Sequence, residues 1–212
     1  LNTEGTVYAG GNATLDTGAL TNTGTLAAAE ELTIVAASVA SSGTLAAGLN
    51  SDGSLNGFAG DGAALSVTTT GDLSATGTNL AAGALRLGGK AVDLSDSQTS
   101  AFDADISAKG VLNTENASLI SRNDINVGSQ RLSNTDGTLY AGGSATLNTG
   151  VLTNSGTLAA ADGLTIDAAS VTSSGTLAAG LNQNGTLKSF ADGGGALNIA
   201  TTGGLSAKGS NL

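Results

Sequence analysis

Cysteine, proline, methionine, histidine and tryptophan are all missing from this chain of 212 residues, and only two Tyr and three Phe occur. Each absence removes a class of protein. Without Cys there is no disulfide framework and no thiolate metal site. With so few large side chains, a deep globular core cannot be filled to native density. Basic residues number 7 against 17 acidic ones, giving a formal net charge of −10. No basic stripe is available to neutralise nucleic-acid phosphates or to hold the chain on an anionic membrane. No apolar run approaches the roughly 18 residues of a membrane-spanning helix, so the chain is not expected to be membrane-embedded. There is no signal peptide and Leu1 opens in mid-pattern, as expected of a piece cut from a longer chain. No metal and no organic cofactor is expected.

What the chain does contain is glycine, 33 residues of it, and an apolar fraction of 40% built mostly from Ala, Leu, Val and Ile. Such side chains suit a thin interior in which small and medium residues stack. The fraction is too high, and its recurrence too regular, for a disordered chain. The acidic residues are scattered singly or in short pairs such as Glu30-Glu31, the pattern of a solvated surface that resists aggregation.

Self-comparison exposes two periods. Residues 2–80 align with residues 134–212 without a gap, with about 55 identities over 79 positions. Gly5-Thr6-Val7-Tyr8-Ala9-Gly10-Gly11 returns as Gly137-Thr138-Leu139-Tyr140-Ala141-Gly142-Gly143, and Ser41 to Asn50 returns unchanged at Ser173 to Asn182. Blocks 1–80 and 132–212 therefore read as duplicates joined by the degenerate segment 81–131. Inside each block Thr6, Thr25 and Thr44, and again Thr138, Thr157 and Thr176, sit in a Gly-Thr-(Leu/Val)-x-Ala setting, with a period of about 19 residues. The pattern continues weakly through Gly77-Thr78-Asn79-Leu80, Ser97-Gln98-Thr99 and Asn116-Ala117-Ser118-Leu119.

The repeated unit reads as strands. Apolar residues alternate over short runs, Leu26 with Ala28 and Leu32 with Ile34, bounded by Gly, Asn, Ser and Asp. No unit of this size can bury its own apolar side, but stacked neighbours can. The expected fold is all-β: one continuous right-handed, single-stranded parallel β-helix over residues 1–212, with the hand taken from the parallel-crossover rule. About ten or eleven coils of about 19 residues would form a rod roughly 50 Å long. Its first partners are neighbouring coils of the same longer chain.

Two segments break the coil length: 50–63, carrying Leu55 and Phe58, and its counterpart 182–195, carrying Leu187 and Phe190. Insertions in solenoids leave the coil on one face, often a binding face, or fold back over a neighbouring coil. Phe58, Phe190 and the equivalent pair Tyr8 and Tyr140 are the candidate contact residues. Segment 85–131 holds five of the seven basic residues, Arg86, Lys90, Lys109, Arg122 and Arg131. It reads as drifted coils, with a ligand-binding face as the sharper alternative. Asn2, Asn22, Asn134 and Asn154 recur just before Gly-Thr-Leu. At equivalent corners such residues form a structural ladder from coil to coil and tolerate a left-handed backbone.

The unit Leu-x-Asn-x-Gly-Thr-Leu-x-Ala, seen at Leu20 to Ala28 and Leu152 to Ala160, resembles the repeats of filamentous hemagglutinins and of the related effectors of contact-dependent growth inhibition. The resemblance covers essentially the whole chain, most closely residues 1–49 and 132–181. It implies a β-helical shaft, secreted by a two-partner system through an outer-membrane β-barrel transporter and displayed at the bacterial cell surface. In that family the shaft carries adhesive segments, or a receptor-binding segment and a toxin, away from the producing cell. A host or target-cell receptor or glycan is then the outside partner.

Three functions compete. The first is the structural stalk, and the second a carbohydrate- or receptor-binding adhesive module in its own right. The third is a polysaccharide-degrading β-helix enzyme, for which Asp52 and Asp61 are the best nominal carboxylate pair. Their counterparts are Asn184 and Gly193, and no His exists to serve as a base, so no catalytic residue is expected. A calcium-binding solenoid motif is also absent: Gly60-Asp61-Gly62 is isolated.

Overall fold

The computed structural model describes residues 1–188 and 195–212, and among these residues it contains only β-strands and no helix. Ten short strands form one sheet: β1 (Thr6–Ala9), β3 (Thr25–Ala28), β5 (Thr44–Ala47), β8 (Thr78–Ala81), β11 (Gln98–Ala101), β13 (Ser118–Ser121), β15 (Thr138–Ala141), β17 (Thr157–Ala160), β19 (Thr176–Ala179) and β22 (Ser210–Asn211). A second sheet of 12 strands holds the long elements β2 (Ala13–Asn22), β4 (Leu32–Ser41), β12 (Asp103–Asn113), β14 (Ile125–Asn134), β16 (Ala145–Asn154) and β18 (Gly163–Ser173). Three long elements are split in two: β6 (Leu65–Thr69) with β7 (Leu73–Ala75), β9 (Ala84–Gly89) with β10 (Val92–Asp93), and β20 (Ala196–Thr201) with β21 (Leu205–Ala207). The chain alternates between the sheets and pairs each strand in parallel with its successor one coil on. This is a parallel β-solenoid.

The short-strand register gives the coil length directly. Thr6 pairs with Thr25, then in succession come Thr44, Thr78, Gln98, Ser118, Thr138, Thr157, Thr176 and Ser210. The steps within the flanking blocks match the period read from the sequence, and those from Thr78 to Thr138 are one residue longer. The steps from Thr44 to Thr78 and from Thr176 to Ser210 are longer still, because each contains an insertion. Nine coils are complete and a tenth is begun, so the expectation of ten or eleven is too high. Each insertion lengthens its own coil without adding a rung. At about 4.8 Å per rung the stack is about 43 Å long.

Side-chain alternation explains the cross-section. In β4 Leu32, Ile34 and Ala36 point inward, Ala37 and Ser38 are both exposed, and Val39 and Ser41 point inward again. The phase slip is where the long strand turns a corner, so each coil has three straight runs. Stacking then lines up aliphatic columns. One runs Ile34, Val67, Leu87, Ile106, Val127, Leu147, Ile166, and another Val39, Leu73, Val92, Leu112, Leu132, Leu152, Val171. Every member is 3% exposed or less. Each such burial contributes about 1.5–3 kcal/mol, and a column of medium-sized residues leaves no room for an aromatic ring.

The longer coils of the central segment take their extra residue at one corner. Asp96, Asn116 and Asp136 each precede a short strand with a φ of 59°, 53° and 54°. In the shorter coils the corner from Asn22 to Thr25 has one residue fewer than that from Asn134 to Thr138. Asp and Asn tolerate the left-handed region because their short polar side chains bond locally. The left-handed backbone expected of Asn2, Asn22, Asn134 and Asn154 therefore falls two residues downstream of that corner position, on Glu4 (φ 56°) and Asp136.

Candidate functional site

Asn2, Asn22, Asn134 and Asn154 stand in one corner column. Nδ2 of Asn2 donates to Oδ1 of Asn22 at 2.8 Å, and Nδ2 of Asn22 donates to Oγ of Ser41 at 3.0 Å. The second block repeats this: Asn134 to Asn154 at 2.7 Å and Asn154 to Ser173 at 3.0 Å, with Thr114 donating to Asn134 at 2.9 Å. Asn22, Asn134 and Asn154 are buried, so each bond satisfies a group that water cannot reach. Between the two ladders the column turns apolar, with Ala75 and Leu94 at the corner. Over the same coils the adjacent inward column turns polar. Asn79 and Thr99 replace the leucines found at Leu45 and Leu119. Asn79 Nδ2 donates to the carbonyl of Ala75 at 2.9 Å and to Thr99 Oγ1 at 3.1 Å. Sequence reasoning traced these residues as repeat remnants and missed the exchange of columns.

Both insertions open with the same turn. Asp52 Oδ1 accepts hydrogen bonds from the backbone N–H of Ser54 at 2.9 Å and from its hydroxyl at 2.6 Å. These bonds hold the Asp52 carboxyl below its ordinary range, the hydroxyl contributing most. In the second insertion Asn184 Oδ1 accepts the same pair from Thr186, at 3.1 and 2.6 Å. A neutral amide fills the role of the carboxylate, so this position serves the turn. Leu55 then bridges back to Leu49, and Leu187 to Leu181.

Beyond the turn the first insertion runs along the rod. Ala59 N–H donates to the carbonyl of Ala82, and Gly83 N–H to that of Ala63. The Phe58 ring lies 5.1 Å from the guanidinium carbon of Arg122, three coils beyond the strand from which the insertion departs. In the second insertion Lys188 reaches Asp162 at 2.6 Å, while Phe190 lies outside the described residues. Tyr8 and Tyr140 differ despite their equivalence. Tyr8, in the first coil, is 37% exposed; Tyr140, between Ile120 and Ala159, is 8% exposed. Burial pushes the Tyr140 phenol above its ordinary range, with Lys188 opposing and Asp162 assisting.

Segment 85–131 is more organised than drift. Its aspartates accept hydrogen bonds from asparagines one coil on: Asn113 to Asp93 at 3.0 Å, Asn116 to Asp96 at 3.3 Å, Asn123 to Asp103 at 2.9 Å and Asn126 to Asp105 at 3.1 Å. Three of these pairs are 20 residues apart and the fourth, Asp105 with Asn126, is 21 apart. These acids are thus engaged by neutral partners, and only Asp105 also meets a cation among the described residues. Among the described residues of this segment, one ion pair forms, Arg86 with Asp105 at 4.0 Å, both side chains about half exposed. Lys90, Lys109 and Arg131 are exposed along the bend of the long strands.

On this face lies a groove of about 590 Å³. One wall is Arg86, Asp105 and Asn126, consecutive members of one outward column; Lys109 stands on the other side. The floor is Gly88, Ser107 and Gly128, in register with one another. A hollow of about 450 Å³ beside the first insertion is lined by Glu30, Glu31 and Asp61. Among the described residues no three acidic side chains converge closely enough to hold a metal ion. The sequence matches no protein-family model, and no curated protein and no solved structure is significantly similar to it.

Proposed function

We propose that this chain is a segment of a rigid extracellular shaft from a large secreted bacterial surface protein, of the kind built by filamentous hemagglutinin-like adhesins and contact-dependent growth inhibition proteins. The observation that carries the reading is the in-register stack. Every coil repeats the same two-sheet pairing, the duplicated block resumes it without a break, and the insertions leave it undisturbed. Such a stack grows in one dimension, the strands of each coil pairing only with those of its neighbours, which suits a spacer that holds other segments at a distance. A Cys-free repetitive chain also suits export through the pore of a two-partner-secretion transporter followed by folding outside, where each coil can template the next. The insertions do not favour turnover: Asp52, a carboxylate held in a defined turn geometry, is replaced by Asn184 in the duplicate.

Two measurements test the shaft. An antibody against this chain should label intact producing cells as strongly as permeabilised ones. Negative-stain images of the full-length parent should show a thin rod whose length scales with coil number at about 4.8 Å per coil. Labelling confined to permeabilised cells would sink the extracellular assignment, and a compact particle would sink the shaft. A second reading, an adhesive module in its own right, is favoured by the groove between Arg86 and Lys109.

A further inference from the structure

We infer that the groove over Gly88, Ser107 and Gly128 binds an acidic polysaccharide, a chain of sugars bearing carboxylates, laid along the rod axis. The inference adds a ligand site to the shaft reading and can fail while the shaft stands.

Charge is the first argument. The chain carries −10 overall, yet three of its seven basic residues gather here: Arg86 and Lys109 line the groove, and Lys90 stands on the coil before Lys109. The aspartates of this segment accept hydrogen bonds from asparagines of the next coil, which leaves the lysines exposed to solvent without an acidic partner among the described residues. Lys90 and Lys109 sit on adjacent coils, Gly110 N–H donating to the Lys90 carbonyl at 2.8 Å. Two like charges one rung apart repel, and an anion between them relieves that repulsion.

Shape is the second. In the duplicated blocks the floor column carries Asp16, Val35 and Thr68 on one side and Asn148, Asp167 and Ala200 on the other. Here the outward column drops to Gly88, Ser107 and Gly128. Nothing lies within 4 Å of a Cβ placed on Gly88 or Gly128, so these glycines are required neither by packing nor by a left-handed φ. Strand positions favour β-branched residues, and glycine there weakens the strand. Their effect is to open a trough between a wall that can both donate and accept, Arg86, Asp105 and Asn126, and a wall that donates, Lys109.

That mixture selects the ligand. A guanidinium and an ammonium suit carboxylates, while Asp105, Asn126, Ser107 and Asn148 suit hydroxyl groups. Asp105 would repel a densely charged phosphate polymer, and the groove has no aromatic platform for bases. Sugars carrying one carboxylate each supply sparse negative charge and many hydroxyls.

The test uses the whole chain and oligomers of galacturonic acid, with neutral dextran oligomers and polyphosphate beside them. Galacturonate oligomers should bind, should weaken as salt rises, and dextran should not bind. Lys109→Gln and Arg86→Gln should each lower affinity at least tenfold with an unchanged melting temperature. Gly88→Val and Gly128→Val fill the trough and should abolish binding while holding or raising the melting temperature. Equal binding by wild type and the filled-groove variants overturns the site, as does no binding of galacturonate at all. Polyphosphate binding as tight as galacturonate, lost in the same variants, overturns the sugar assignment.

Discussion

Asn79 and Leu45 occupy the same inward-facing column one coil apart, an amide stacked on a leucine. Asn79 is fully buried, and its Oδ1 has no hydrogen-bond partner. The corner next to it has lost its polar residue to Ala75, whose carbonyl receives the Asn79 Nδ2. One exchange explains both departures: the amide has moved from the corner column to the neighbouring one. Asn79→Leu alone strands the Ala75 carbonyl, and Ala75→Asn alone sets two buried amides against each other. Each should destabilise the chain, and the double change, which restores the arrangement of Asn22 with Leu26, should recover about 1–2 kcal/mol of coupling. Chemical unfolding of the four proteins measures it; strict additivity would refute the exchange.

At corner glycines such as Gly24, Gly43 and Gly77 a side chain would strike the backbone of the preceding coil. A Cβ on Gly43 would run into the carbonyl of Gly24 in the preceding coil, so Gly43→Ala should cost about 2 kcal/mol or more. Gly18 faces open space, and Gly18→Ala should leave the melting temperature unchanged or slightly higher. If the two alanines behaved alike, the corner contact would not be limiting.

The first insertion is fastened at its far end by the Phe58 ring under Arg122. An exposed cation–π contact is worth about 0.5–1 kcal/mol, too little to alter the rod. Arg122→Gln should therefore leave global unfolding nearly unchanged while speeding cleavage by a non-specific protease between residues 50 and 62. Unchanged cleavage would mean that the backbone bonds to Ala82 and Gly83 hold the loop without help.

Burial raises the folded-state pKa of Tyr140 above its ordinary value of 10.0, Lys188 opposing and Asp162 adding to it. The neutral phenol is the form the fold favours, so its contribution is complete below the unfolded value and is lost as pH rises through the folded one. An alkaline absorbance titration should show a late tyrosinate step that Tyr140→Phe lacks. A titration curve unchanged by that substitution would contradict the burial of this ring.

Much of the fold was legible because a solenoid writes its period into the chain. Gly-Thr-Leu marks the short strand, and Leu26, Ala28, Leu32 and Ile34 point inward as their alternation predicts. The rung count was not legible from length alone, because an insertion between Ala47 and Leu65 consumes residues without making a rung. The groove was hidden for a different reason. Arg86, Asp105 and Asn126 lie a full coil apart in sequence and become neighbours only once the register is known. The same holds for the asparagine–aspartate rungs. Their spacing of 20 or 21 residues carries meaning only when the coils of the central segment are known to be longer than those of the flanking blocks.

In this molecule the backbone hydrogen bonds lie along the rod, each coil hanging from the one before it. A pull on the two ends therefore loads the rungs in series, and the rod yields by unspooling from an end rather than by bending. At about 3.4 Å per extended residue an ordinary coil releases about 65 Å of contour, whereas a coil bearing an insertion releases about 115 Å. Under tension such a shaft lengthens in two strides, and the insertions are its reserve of slack.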